Sequence, residues 1–298
     1  MQSVDEYQPG ASAIPEVLVI IGAGGMGTAT ARRLGFGHLV LLSDVNDDGL
    51  TQTAAALTSD GHLVRTAPVD VQSRSSVAQL AEFAASLGRV TRVVHTAGLS
   101  PEQAPVEAIL GVDLLGVALV LEEFAKVIER HGAGVVISSM AGHLNSPIDP
   151  QDEFRLATCP AEELLSLPSS APQRFSSAQE AYGYAKRANQ LRVAAASTAW
   201  GARGARINSI SPGVISTSMG RQELAGESGN VMRLMVDGSA TRRLGTPDDI
   251  AAAADFLLGR AASFVTGTDL LVDGGVTAAV RSGAIDFAQL LQNANLSI

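Results

Sequence analysis

Residues 16–34 read EVLVIIGAGGMGTATARRL, and the stretch changes character twice along its length. Val17 to Ile21 is an unbroken apolar run, which suits a strand covered on both faces. It passes directly into Gly22, Gly24 and Gly27, then into Thr28 to Leu34, which reads as helix. A strand that ends on G-x-G-x-x-G and opens a helix is the context in which this motif holds a dinucleotide. Glycines let the backbone turn tightly and approach a pyrophosphate. The unpaired N–H groups of the helix start then face it with partial positive charge. Gly25 and Met26 lie inside the same expected cradle. The competing reading is a glycine-rich turn that is purely structural.

Outward from this unit, strand and helix alternate. Strands are expected at 17–21, 38–43, 62–67, 92–96, 134–139, 206–210 and 270–272. Helices are expected at 28–34, 47–58, 73–87, within 104–128, at 178–203 and at 247–258, the last begun by Pro247 in its first turn. Such alternation predicts a single-domain α/β Rossmann fold, a doubly wound parallel sheet of about seven strands with helices on both faces. Right-handed crossovers put the strand C-termini along one edge, so Gly24, Asp44, Ala97 and Ser139 should line one crevice. Residues 1–15 read as a flexible leader, 16–276 as the domain and 277–298 as a tail, with Phe287, Leu290 and Leu291 at helical spacing.

Two stretches break the rhythm. Residues 145–178 hold Pro147, Pro150, Pro160, Pro168 and Pro172 and leave room for at most a short helix near 161–167. This is too long for an ordinary connection and reads as a functional or interface element. Residues 213–244 read as a mobile lid with Met219, Met232, Leu234 and Met235 on its inner face.

Composition narrows the classes. Hydrophobic residues make up 46% of 298, enough for a large core, while a net charge of −9 argues against a chain that tracks nucleic-acid phosphates. Cys159 is the one cysteine, which rules out an internal disulfide and fits a reducing cytoplasm. The first fifteen residues lack the basic start and apolar run of a secretory signal. No uninterrupted apolar stretch reaches the length of a membrane span. No metal site is expected.

Asp44 stands 20 positions past Gly24 at the end of the second expected strand. A carboxylate there accepts hydrogen bonds from ribose hydroxyls and repels a 2′-phosphate, so NAD is expected rather than NADP. The plainer alternative is a helix cap. Arg32 and Arg33, further along the first helix, read as solvated. Tyr182 and Lys186 lie four residues apart in AYGYAKRANQ, on one face of a helix. The ammonium favours the phenolate and should lower a phenol pKa of about 10, making Tyr182 a general acid/base for a carbonyl or an alcohol. Taken alone, the pair reads equally as a surface lysine one turn from a core tyrosine.

With Ser139 in ISSMAG, these motifs resemble the short-chain dehydrogenase/reductase family from Val17 to about Gly275. The resemblance implies NAD-dependent interconversion of a secondary alcohol and a ketone. In it Ser139 orients the substrate oxygen, and Tyr182 and Lys186 form the catalytic pair. Asp70 and Val71 in PVDV are similar to the segment at the adenine edge. Ala97 and Gly98 in HTAG are similar to the turn beside the cofactor. Pro212, Gly213, Val214 and Thr217 in SPGVIST are similar to the segment beside the nicotinamide. Homodimers or homotetramers are implied as well, while the charge and the short apolar runs speak against nucleic acid and membrane as partners.

The chain departs from the pattern at four places. The glycine loop has the shorter G-x-G-x-x-G spacing. His95 and Thr96 replace two asparagines, and His95 reads as a packed, hydrogen-bonded histidine. Asp113 in GVDLLG replaces an asparagine that connects the lysine to water, and is carried as a fourth catalytic candidate. The interval between Ser139 and Tyr182 is unusually long. The apolar residues of 145–178 and 213–244 suit a bulky apolar substrate, steroid-like or similar, or else pack the extra chain down. The rival reading is a catalytically silent NAD-binding sensor or scaffold of the same fold. Such proteins typically lose the tyrosine or lysine, which this chain keeps. An enoyl reductase is a third reading, and is disfavoured by the Tyr–Lys spacing.

Overall fold

Strand β1 (Glu16–Ile21) lies at the centre of the molecule, with Val17 through Ile21 fully buried. In this computed structural model, residues 14–102, 104–144, 147–226 and 229–286 are described. Most of the expected leader and the tail from residue 287, with Phe287, Leu290 and Leu291, lie outside them.

Six further strands complete the sheet. They are β2 (Leu39–Asp44), β3 (Leu63–Pro68), β4 (Arg89–His95), β5 (Ala133–Ile137), β6 (Arg206–Pro212) and β7 (Asp269–Val272). The order is β3-β2-β1-β4-β5-β6-β7, and every pairing is parallel. The helices are α1 (Gly25–Leu34), α2 (Asp47–Ser59), α3 (Arg74–Leu87), α4 (Val106–Ile109), α5 (Val117–Val127), α6 (Ala141–Leu144), α7 (Pro150–Thr158), α8 (Ala178–Ala202), α9 (Ser218–Ala225), α10 (Gly229–Gly238), α11 (Pro247–Leu258) and α12 (Val276–Arg281).

Alternation along the strands divides the core into two layers. Val17, Val19 and Ile21 join Val93, Val136 and Ile207 under α3, α5 and α8. Leu18 and Ile20 join Val94, Val135 and Ile210 under α1, α2 and α11. The doubly wound parallel sheet with helices on both faces is the architecture the sequence predicts. Its topological switch point lies between β1 and β4, where the chain leaves in opposite directions.

Three local expectations change. The long helix within 104–128 is two α-helical pieces joined by a π-helical turn over Leu110–Gly116. The 145–178 stretch holds a full α-helix, α7, capped by the Asp149 side chain with Pro150 in its first turn, and three 3-10 turns including Ala161–Ser166. Leu156, Ala161 and Leu164 from it are buried in the α5/α8 layer, while Phe154 and Leu165 point to solvent. The stretch read as a lid contains α9 and α10. Met235 is buried and Met232 partly so against Met140, Val214 and Val276, but Leu234 is half exposed on the outer side.

Candidate active site

The glycine loop is the floor of the crevice at the switch point. Gly22 sits at φ +105°, a region that side chains avoid, and its N–H donates to Ser43 O across to β2. A Cβ on Gly27 would stand 2.0 Å from Gly22 O, whereas one on Gly24 would meet nothing within 4 Å. Gly24 is also the N-cap of α1, whose first turn carries no acidic side chain. The site could therefore hold the pyrophosphate of a dinucleotide: a helix start with no acidic side chain in its first turn and open space at residue 24.

Around this floor, Asp44 accepts from Ala23 N (2.7 Å) through Oδ2 and from Asn46 N (2.9 Å) through Oδ1. The carboxylate thus fixes the loop, and the α2 cap is Asn46, not Asp44. Arg32 and Arg33 pair with Asp60 and Asp255 on the exposed surface, away from the loop. Asp70 holds its own turn, with Oδ1 accepting from Gln72 N, and buried Val71 packs against Gly116. Thr96 Oγ1 donates to Gly22 O (2.9 Å), and Ala97 N to Ile21 O (2.9 Å), which joins the β4 turn to the loop. On the far wall Gly213 N donates to Val272 O. Thr217 caps α9 by accepting from Gly220 N at 2.9 Å. A Cβ on Gly25 would come within 3.2 Å of the Thr217 methyl, so the Pro212–Thr217 segment arches over the loop.

Helix α8 brings in the reactive groups. Ser138 Oγ donates to Lys186 O (2.8 Å), so the end of β5 is tied to the turn of α8 that carries the lysine. Ser139 Oγ accepts from Ala141 N (3.1 Å), and Gln190 Nε2 reaches both Ser139 O (3.4 Å) and Ser211 Oγ (3.1 Å). Lys186 Nζ lies 5.2 Å from the centre of the Tyr182 ring. It also forms an ion pair at 2.7 Å with Asp113 Oδ1, both side chains being almost wholly buried. Asp113 is presented by the π-helical turn, and its Oδ2 accepts from Leu99 N (3.0 Å). Gly98 makes room for this pair, because a Cβ there would be 2.6 Å from Asp113 Oδ1.

The electrostatics differ from the sequence expectation. Burial pushes the Tyr182 phenol above its ordinary value. Lys186 pulls it down, but Asp113 and Glu223 oppose the lysine, and a Ser139 hydrogen bond adds only a smaller downward pull. Burial also works against the Lys186 ammonium, yet Asp113 and Tyr182 hold its pKa above the usual lysine range. His95 is completely enclosed, and neither ring nitrogen has a hydrogen-bond partner among the described residues. Burial, helped by Lys186, lowers it to about 3, so it is packed and neutral but not hydrogen-bonded.

Two neighbours escaped the sequence reading. Glu223 on α9 accepts from buried Ser100 Oγ (2.6 Å), and burial raises its pKa. Arg192 on α8 donates to Leu156 O (2.9 Å) and Cys159 O (3.0 Å) and so clamps the extra segment. Neither belongs to a motif; only tertiary contact identifies them.

Known proteins resemble this chain in sequence and in fold. Residues 16–150 match a family model described as short chain dehydrogenase, and residues 158–277 match one described as enoyl-(acyl carrier protein) reductase. The chain is 43% identical to short-chain dehydrogenase/reductase bsc3 of Alternaria brassicicola, covering 88% of this chain and 95% of that protein. It is 30% identical to D-threitol dehydrogenase of Mycolicibacterium smegmatis, covering 87% and 92%. In fold it resembles a short-chain type dehydrogenase/reductase structure from Mycobacterium ulcerans, with TM-score 0.71 and 24% identity over 93% of this chain and 97% of that one. The glycine loop, the Ser139–Tyr182–Lys186 group and these relatives lead to one assignment: the chain is an oxidoreductase belonging to the short-chain dehydrogenase/reductase family.

Proposed function

We propose that the protein interconverts a secondary alcohol and a ketone with NAD(H), on a bulky apolar substrate. The observation that carries the reading is the meeting of Tyr182, Lys186 and Ser139 at the same sheet edge as the glycine loop. The loop N–H groups would hold the pyrophosphate, and Asp44, whose oxygens keep further lone pairs, would accept from the adenosine ribose. Asp70, Val71, Ala97 and Gly98 would line the adenosine side, and Pro212–Val214 with Thr217 the nicotinamide side. Bound NAD(H) supplies the hydride acceptor or donor.

The protein's own part is proton transfer and alignment. Tyr182 gives its phenolic proton to the carbonyl oxygen in reduction and removes the hydroxyl proton in oxidation. Ser139 aligns that oxygen. An ammonium has three N–H donors. Asp113 sets a charge against Lys186 at 2.7 Å, and the ammonium's N–H groups would donate to the nicotinamide ribose. Beside the site, Val231, Met232 and Met235 of α10 pack against Met140 and Leu144, so an apolar substrate would meet an apolar wall there.

The test follows NADH absorbance across secondary alcohols and ketones that include bulky apolar compounds. Turnover is expected in the native protein. Tyr182→Phe should lower kcat by at least about a hundredfold, the low end of what a positioned general acid contributes, with NAD affinity unchanged. Full activity in that variant overturns the assignment. Silence of the native protein across the panel, with NAD still bound, favours the sensor reading.

A further inference from the structure

We infer that Asp113, by setting a buried negative charge against Lys186, holds this site in its proton-donating form. The inference deepens the proposed alcohol–ketone chemistry and rests on it for its kinetic consequence. Its physical content concerns only the side chains.

The geometry is unusual in that the lysine charge is already matched. Asp113 Oδ1 is 2.7 Å from Nζ, the carboxylate is fully enclosed, and its other oxygen accepts from Leu99 N. In such surroundings charges are weakly screened, so a carboxylate beside the ammonium removes much of the field that would otherwise favour a phenolate. The other groups facing the pair do not restore it. His95 from β4 is enclosed and neutral. Glu223 from α9 is acidic, feels both Tyr182 and Lys186, and adds to the opposing field whenever it is ionised. Ser139 from the β5 end and Ser100 are uncharged. The lysine therefore remains protonated and able to hold ribose, while the tyrosine is left as an acid. Asp113 acts through Lys186, so it is a positioning residue.

A protonated phenol is the form that reduction consumes and the wrong form for starting oxidation. The rate of reduction should therefore hold through neutral pH, while the rate of oxidation should go on rising into alkali. Asp113→Asn and Asp113→Ser remove the charge, and the asparagine keeps an acceptor for Leu99 N.

Two measurements test this. In kinetics, both variants should move the rising limb of alcohol oxidation to lower pH by about one unit, a change typical of a neighbouring charge. At a fixed pH below that limb, the fraction of Tyr182 present as phenolate should then increase about tenfold. NAD affinity should change little. Limbs that stay in place, or move upward, overturn the inference. The second measurement needs no substrate: the ultraviolet absorbance of phenolate is titrated in the native protein and in Tyr182→Phe, and their difference isolates Tyr182. Ionisation above the ordinary phenol value is expected. Ionisation below it refutes the inference even if neither Asp113 variant folds. Normal phenol behaviour with no turnover of any carbonyl would instead count against the proposed reaction.

Discussion

Replacing Gly24 by alanine separates binding from folding. Gly24 has φ −72° and ψ −172°, which any residue adopts, and a Cβ there meets no atom within 4 Å. As an N-cap without a side-chain bond, it loses about 1 kcal/mol when alanine replaces it, because alanine is a poorer cap. Restricting the unfolded chain returns about 0.4–1 kcal/mol. The unfolding free energy should therefore stay within about 1 kcal/mol of native. The new methyl would instead project where the pyrophosphate approaches the backbone. Losing one charge-assisted hydrogen bond of about 1.5–3 kcal/mol predicts NAD affinity lower by roughly ten- to a hundredfold.

Gly27→Ala is the control, since its Cβ would lie 2.0 Å from Gly22 O and must force the loop apart. It should lose both stability and binding. Urea denaturation and NADH fluorescence titration on the two variants supply the readout. A folded Gly24→Ala protein that binds NAD as tightly as native would refute the placement of the pyrophosphate on this loop.

Other perturbations probe separate parts of the molecule. Asp44→Asn keeps an acceptor for Ala23 N but removes the charge, so affinity for NADP relative to NAD should rise by about tenfold or more; an unchanged ratio in paired titrations would count against Asp44 as the selector. His95 is lowered to about 3 against an ordinary 6.5, so the unfolded chain takes up a proton first. Stability is then full above about pH 6.5 and is lost as pH falls toward 3, by a few kcal/mol at most. His95→Asn should flatten that acid slope in denaturation curves, and an unaltered slope would refute the assignment. Arg192→Met leaves the carbonyls of Leu156 and Cys159 without their buried donor, which should cost about 2–4 kcal/mol. Amide exchange in 150–175 should quicken with it; protection equal to native would show that the clamp is unimportant.

What the sequence revealed depended on range. The passage from Val17–Ile21 into glycine was legible because strand, turn and helix are each encoded within a few neighbours. Strand limits drifted where pairing decides them. β4 begins at Arg89, not Arg92, because Arg89 and Val90 pair with Glu16 and Val17. Helix α7 is hard to read although Asp149-Pro150 is a sound start signal, because the prolines that follow obscure it. The π-helical turn was illegible, since residues 110–121 are apolar on nearly every side and conceal a change of phase. Its product, the meeting of Asp113 with Lys186, joins positions 73 apart and depends on that change. The fold and the proposed reactive residues could thus be read locally, while the charge balance among them could not.

Helix α8 also has a bearing on how chimeras of this protein should be cut. Arg187 pairs with Glu153 at 2.7 Å, Arg192 holds two carbonyls of the same segment, and the Tyr184 hydroxyl meets Ser170 at 3.1 Å. These three stand on the helix that bears Tyr182 and Lys186, between and just beyond them, and reach away from the site. The segment 150–175 is therefore a splint bound to the helix, and the two form one unit of exchange. A graft that takes the segment from a relative but leaves this helix behind would strand two arginines and a tyrosine. A graft with junctions before Asp149 and after Trp200 would carry the fastening and the fastened together.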